Sequence, residues 1–283
     1  MTIDIVRSLE IDQVGEGRFR ALNADTETDR PVFGGQLLGQ FIVAASLVHP
    51  DKAVRTVQTV FTRTGRLDQP LDIAVETVHR GSTMATTSVS IAQGERVVAR
   101  SQVLLDIEER DLVRHGSVAP ETGGPEAAVP AGFPIHKGSE LRFVGGVDLE
   151  TSAATGPAEL NSWVRWADVP SDNLAVNQAF VSWYTDSLFI GAALRPHDGV
   201  GGSDAHERVS TGVFTHSLFF HEPVQAADWH LLVEEVPYAG HGRIFGQGKV
   251  FAKSGELVAS FVQDAMVRHF PERHEPRGGS VVM

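Results

Sequence analysis

The sequence predicts an α+β protein built from one unit written twice, a long apolar helix followed by four antiparallel strands. Three observations predict it. Residues 32–48 form an apolar helical run closed by His49-Pro50, and four runs rich in Val, Thr and Ile follow. The same order returns from residue 177 onward. The halves align at an offset of 158–161 residues, with Phe61 against Phe219, Glu76 against Glu234 and Gly94-Glu95 against Gly255-Glu256. A period this long marks a duplicated domain and not a solenoid.

The elements follow in order. The first helix is apolar nearly all round, which predicts a buried helix. Its strands are expected near 54–63, 71–80, 83–92 and 96–106, punctuated by Gly65, Gly81 and Gly94. Residues 111–160 carry Pro120, Pro125, Pro130, Pro134 and Pro157 among many Gly and Ala, and read as a connection with a short strand over 141–147. The second helix is expected over 177–194, stopped by Arg195-Pro196. Its strands are expected near 208–221, 229–236, 243–252 and 256–268. The division is therefore 1–112, a linker 113–160, and 161–283. Each sheet covers its helix, and the two units pair to cover remaining apolar surface, with a ligand expected at the seam. The sheet surfaces left over predict a homo-oligomer.

Composition narrows the function. Thirty-six acidic against 24 basic residues give a net charge of −12, which weighs against a nucleic-acid surface. There is no Cys, so disulfides, thiolate zinc sites and a Cys nucleophile are excluded. The start, Met1 to Arg7, lacks the basic and apolar pattern of a leader, and no apolar run reaches the 18 or so residues of a membrane span. A cytoplasmic location is expected.

Two polar residues stand in apolar surroundings. Alternation along 257–267 gives one face of Leu257, Ala259, Phe261, Gln263, Ala265 and Val267. Gln263 is either a core amide satisfied by backbone or an amide held to orient a ligand or water. Asp186 lies in the second helix with Ser182, Trp183, Phe189 and Ile190 as its helical neighbours. A carboxylate there is partly desolvated and able to take a proton from water, or else it sits at an exposed helix edge. The strand 209–221 carries Thr211, Val213, Thr215, Ser217, Phe219 and His221 on one face, either a hydroxyl ladder or a source of a third water contact. No Gly-x-Ser-x-Gly elbow, phosphate-binding loop of the Gly-x-x-x-x-Gly-Lys-Ser/Thr type or His-Glu-x-x-His motif occurs. His216 and His221 fall on opposite faces of their strand, which counts against a shared metal.

Taken together these pieces resemble the acyl-CoA thioesterase II family. The motifs are Phe33-Gly34-Gly35-Gln36, Phe61-x-Arg63-x-Gly65, Arg80-Gly81-Ser82, Asp186, His216 to His221, Arg243 and Val262-Gln263. The resemblance implies a double hot-dog fold, two repeats of a long central helix wrapped by an antiparallel β-sheet. It implies hydrolysis of acyl-CoA to a free acid and CoA, with no metal, cofactor or acyl-enzyme. Asp186 and Gln263 match the family's water-holding Asp and Gln. The position of the family's third contact, a Ser or Thr, holds Val213 here. Thr215 substitutes only if the strand is shifted or bulged, because two residues along a strand span about 7 Å. Gln58 and Thr64 depart from the commoner His and Pro. A backbone N–H near Gly34-Gly35 is expected to polarise the thioester carbonyl, and Arg243 and Lys249 to meet the CoA phosphates. The rival readings are a non-catalytic acyl-CoA-binding protein, and a hot-dog hydratase or dehydratase that pairs an Asp with a His.

Overall fold

The computed structural model describes residues 5–23, 31–169, 172–204 and 208–269. Residues 1–4, part of the stretch read for a leader, lie outside the described residues, as do 270–283 of the second unit.

A short helix α1 (Ile5–Leu9) and the strands β1 (Asp12–Gly15) and β2 (Arg18–Ala21) precede the long helix α2 (Gly34–Val48). Four strands follow it: β3 (Ala53–Phe61), β4 (Leu71–Arg80), β5 (Met84–Gln93) and β6 (Arg96–Asp106). The connecting stretch supplies β7 (Val129–Pro130) and β8 (Ser139–Phe143) and leads into β9 (Glu159–Trp166). The second set is α3 (Leu174–Thr185), α4 (Phe189–Leu194), β10 (Val209–Phe220), β11 (His230–Gly240), β12 (Arg243–Ala252) and β13 (Leu257–His269). Among the described residues all strands join one antiparallel sheet, ordered β1-β2-β4-β5-β6-β3-β10-β13-β12-β11-β9-β8-β7. The halves meet where β3 pairs with β10.

Helix α2 is buried because its sequence offers no polar face. Leu38, Phe41, Ile42, Ala44 and Ala45 are fully enclosed, each of the larger side chains contributing about 1.5–3 kcal/mol by leaving water. It ends at Val48 because Pro50 disfavours a helical conformation at His49. Gly35 lets α3 approach closely: a Cβ there would lie 2.8 Å from the Cα of Trp183. Among the described residues no helix is long and apolar enough to cross a membrane.

The duplication is visible in the hydrogen bonds. Thr62 and Arg63 both donate backbone N–H groups to Val98 O, at 2.9 and 3.2 Å. His221 and Glu222 donate in the same way to Val258 O, at 2.9 and 3.3 Å. His221 stands 159 residues after Thr62, and Val258 stands 160 after Val98. At those offsets the cross-strand pair Val57 and Val103 is the counterpart of the pair His216 and Gln263.

Two expectations are corrected. The second helix does not run unbroken over 177–194, because it stops at Thr185 and restarts at Phe189. The Asp186 N–H turns to Trp183 O (3.4 Å) and the Ser187 N–H to Tyr184 O (3.3 Å), a tighter winding than an α-helix. Thr185 and Ser187 hydroxyls take the Ser182 and Trp183 carbonyls, at 2.9 and 2.7 Å, and so compete with the helical N–H groups. The short strand expected over 141–147 is Ser139–Phe143, and Gly145 at φ 73° turns the chain out of it.

Candidate active site

The break after α3 places Asp186 at the start of α2. Phe33 occupies the cap position of α2 and makes no side-chain capping bond. The Asp186 carboxylate takes that role from the other half of the chain, accepting the Gly35 N–H. A Cβ built on Gly34 would collide with Asp186 Oδ2 and lie 3.3 Å from Cζ of Phe61. Phe33 packs against Trp183 with ring centroids 5.3 Å apart. The carboxylate is thus enclosed by aromatic rings and the backbone of two glycines.

Below it the sheet presents a row of polar side chains on its inner face. In register across five strands and the seam run Ser101, Thr59, His216, Gln263 and Gly246. Ser101, Thr59, His216 and Gln263 are all buried. Gln263 Nε2 donates to Asp186 Oδ1 at 3.4 Å. His216 Nδ1 lies 3.6 Å from the same oxygen. The far nitrogen of that ring, Nε2, is 3.2 Å from Thr185 Oγ1, and the ring stacks on Phe261 at 5.4 Å. Gly246 leaves space that the Phe189 ring of α4 fills.

Burial pushes the Asp186 carboxyl above its ordinary range, opposed by the facing His216 ring and by the Gly35 N–H. Gln263 Oε1 is buried and has no hydrogen-bond partner. An acceptor left unpaired in a dry site costs about 1–3 kcal/mol, so its presence needs a reason. Set beside a carboxylate, it forms one half of a cradle for a water with two hydrogens to donate.

The structure brings Asp186, Gln263, Gly34 and Gly35 together, but not Thr215. Val213 pairs with Ala265 and Thr215 with Asp264, so Phe214 is the extra residue of a β-bulge. The bulge reverses the phase of β10. Thr211 and Val213 face inward before it, and His216, Leu218 and Phe220 after it. The ladder expected from Thr211 to His221 on one face is therefore broken, and Thr215 points away from Gln263 with Asp264. Val213, not Thr215, stands on the inner face next to the site. Arg243 and Lys249 also lie on the outer face: their neighbours Ile244, Gly246, Gly248 and Val250 are the inward residues of β12. Arg243 is ion-paired with Asp264 there. Among the described residues no group of three or more His, Asp or Glu side chains is placed to hold a metal ion.

Sequence reasoning missed His216 and Thr185. Thr185 was legible only as the neighbour of Asp186. Strict alternation sets His216 opposite Thr211 and Val213, and the bulge at Phe214, which no turn residue marks, brings all three to the inner face.

A long helix held in a curved antiparallel sheet, repeated once with the two sheets fused at β3 and β10, is the double hot-dog architecture. The chain belongs to the acyl-CoA thioesterase family: the family's N-terminal domain matches residues 23–105 and its C-terminal domain residues 115–267. It is 24% identical to acyl-CoA thioesterase 2 of Haemophilus influenzae over 282 residues, covering 94% of this chain and 97% of that one. It is also 24% identical to human acyl-coenzyme A thioesterase 8 over 294 residues, covering 95% and 90%. Among solved structures, an acyl-CoA thioesterase II of Mycobacterium marinum superposes with a TM-score of 0.79 at 23% identity, over 95% of this chain and 99% of that one. The dehydratase domain of a curacin polyketide synthase shares the fold at a TM-score of 0.57 and 11% identity, over 92% and 96%.

Proposed function

We propose that this acyl-CoA thioester hydrolase attacks its substrate with a water held between Asp186 and Gln263. The observation that carries the reading is the unpartnered, buried Gln263 Oε1 beside the Asp186 carboxylate. Water donates one hydrogen to each. Asp186 takes its proton as the water oxygen bonds to the thioester carbon. The carbon–sulfur bond then breaks, its electron pair goes to sulfur, and the proton passes from Asp186 to the CoA thiolate. The positive end of α2 at Gly34-Gly35 favours the negative oxygen formed on the carbonyl. The acyl chain lies among the apolar side chains between helix and sheet.

His216 beside Asp186 is the feature expected of the hydratase rival. Its ring is stacked on Phe261 and set between Asp186 and Thr185, where it orients the carboxylate. The same reading includes two hot-dog units, 1–112 and 161–283, joined by 113–160, and a cytoplasmic setting consistent with the cysteine-free composition. A homo-oligomer is supported by Val60, Tyr238 and Phe245, apolar side chains exposed on the outer sheet face.

The test is Asp186→Asn assayed by release of free CoA, with circular dichroism to check the fold. The expected result is a folded protein without hydrolysis. Turnover close to wild type overturns the mechanism, binding of acyl-CoA by the wild type without CoA release favours the non-catalytic reading, and loss of enoyl absorbance from an enoyl-CoA favours the hydratase.

A further inference from the structure

The hydrolysis proposed above needs Asp186 charged in a site that burial makes hostile to charge. The hydrogen bonds around it show how that charge is kept. Where α3 ends, the Asp186 N–H turns to Trp183 O, so Ser182 O does not receive the N–H a continuing helix would supply. Thr185 Oγ1 donates to Ser182 O at 2.9 Å. A hydroxyl has one hydrogen, so towards His216 Thr185 Oγ1 accepts, and His216 Nε2 carries the proton of that 3.2 Å contact. Nε2–H therefore fixes the ring's tautomer, and Nδ1 faces Asp186 Oδ1 at 3.6 Å. A neutral ring would set the Nδ1 lone pair against a carboxylate oxygen, which is repulsive. A proton between the two atoms removes the repulsion.

We propose that His216 is a positioning residue whose ring carries a resting proton on Nδ1 and so faces Asp186 Oδ1 as an ion pair, leaving the other carboxylate oxygen to take the proton of the attacking water. The ring supplies a counter-charge to the carboxylate. Thr185 holds it in the one orientation that does so. The Nδ1 proton is not consumed: the water proton travels to Asp186 and on to the thiolate, while the ring keeps its own. The groups that face Asp186 are the Gly35 N–H from α2, Gln263 from β13 and His216 from β10, with Thr59 of β3 next to His216 in register. His216 is the titratable one among them.

The inference rests on the hydrolysis reading, and two measurements separate their failures. Nitrogen-15 NMR of histidine-labelled full-length protein, with His216→Gln to assign the signal, reads the ring directly. Both His216 nitrogens are expected to show protonated shifts at pH 7. An unprotonated Nδ1 overturns the inference even if Asp186→Asn is inactive, whereas an active Asp186→Asn overturns the hydrolysis reading whatever the NMR shows. In kinetics, His216→Gln is expected to move the acid limb of kcat upward by about one pH unit or more, with activity returning at high pH and KM little changed. A uniform fall in kcat with an unmoved limb overturns the proposal. If His216→Gln does not fold, Thr185→Val is expected to move the limb the same way and Thr185→Ser to restore it. An unmoved limb in Thr185→Val counts against the proposal equally.

Discussion

Gly34 leaves no space for a side chain against Asp186, since a methyl group there would meet Oδ2. The two residues come from different halves of the chain, 152 positions apart in sequence. Gly34→Ala must therefore push the carboxylate off the start of α2. A displacement of about 1 Å at a reacting group costs on the order of 100-fold in rate. The expected outcome is that fall in kcat with a near-normal unfolding temperature, read by CoA release and thermal melting. Unchanged kcat would show that Asp186 tolerates the shift.

Gln263 combines a proposed catalytic role with a structural cost. Its Oε1 is buried without a partner. Gln263→Leu is expected to lower kcat about 100- to 1,000-fold while changing stability by about 1 kcal/mol or less, since removing the buried acceptor offsets the loss of the Nε2 bond to Asp186. Denaturant titration beside a CoA-release assay checks both. Loss of stability with activity intact would mean the amide is only a core residue.

The bulge at Phe214 separates two substitutions that sequence alone treats alike. Thr215→Val, on the outer face, is expected to leave kcat within about twofold, as a surface change should. Val213→Thr places a hydroxyl on the inner face beside Gln263, where it adds a contact to the water. That variant is expected to raise kcat several-fold. If Thr215→Val were the damaging change, the strand phase described for β10 would be wrong.

Glu234 makes a separate prediction about stability. It is fully buried on β11, neither carboxyl oxygen has a hydrogen-bond partner, and burial pushes its pKa from 4.5 up to about 8. The unfolded chain ionises this group above pH 4.5 while the folded protein keeps it neutral. Its contribution is therefore complete below pH 4.5 and is lost as pH rises through about 8, an effect of about 5 kcal/mol across that window. His230 acts in the opposite direction. Burial lowers its pKa from 6.5 to about 4, so its contribution is present above pH 6.5 and lost as pH falls through about 4. Glu234→Gln is expected to flatten the decline in unfolding free energy between pH 6.5 and 8, measured by urea titration. A slope equal to wild type would place the carboxyl in water.

Much of this fold is legible in the sequence because its signals are local. Helix α2 has no polar face, and Pro50 ends it. Gly94 and Gly255, at φ 59° and 91°, mark equivalent hairpins in both halves. Asp186 and Gln263 are legible as polar residues in apolar periodic surroundings. The break at Asp186 is not, because it depends on which carbonyls the Thr185 and Ser187 hydroxyls capture. The bulge is not either. Phe214 looks like any strand residue, and only pairing with β13 shows that it is extra. Only that phase change brings His216 to the same face as Val213.

Where the second half holds His216 and Gln263, the first half holds Val57 and Val103, all four fully buried. The repeat that made the fold recognisable is thus not a repeat of chemistry. On the proposed reading one chain carries one working centre, and the equivalent position of the first half is filled with hydrocarbon. In the proposed reaction the first unit keeps its part through the Gly34-Gly35 end of α2, while its sheet offers no polar pair of its own at the position equivalent to His216 and Gln263.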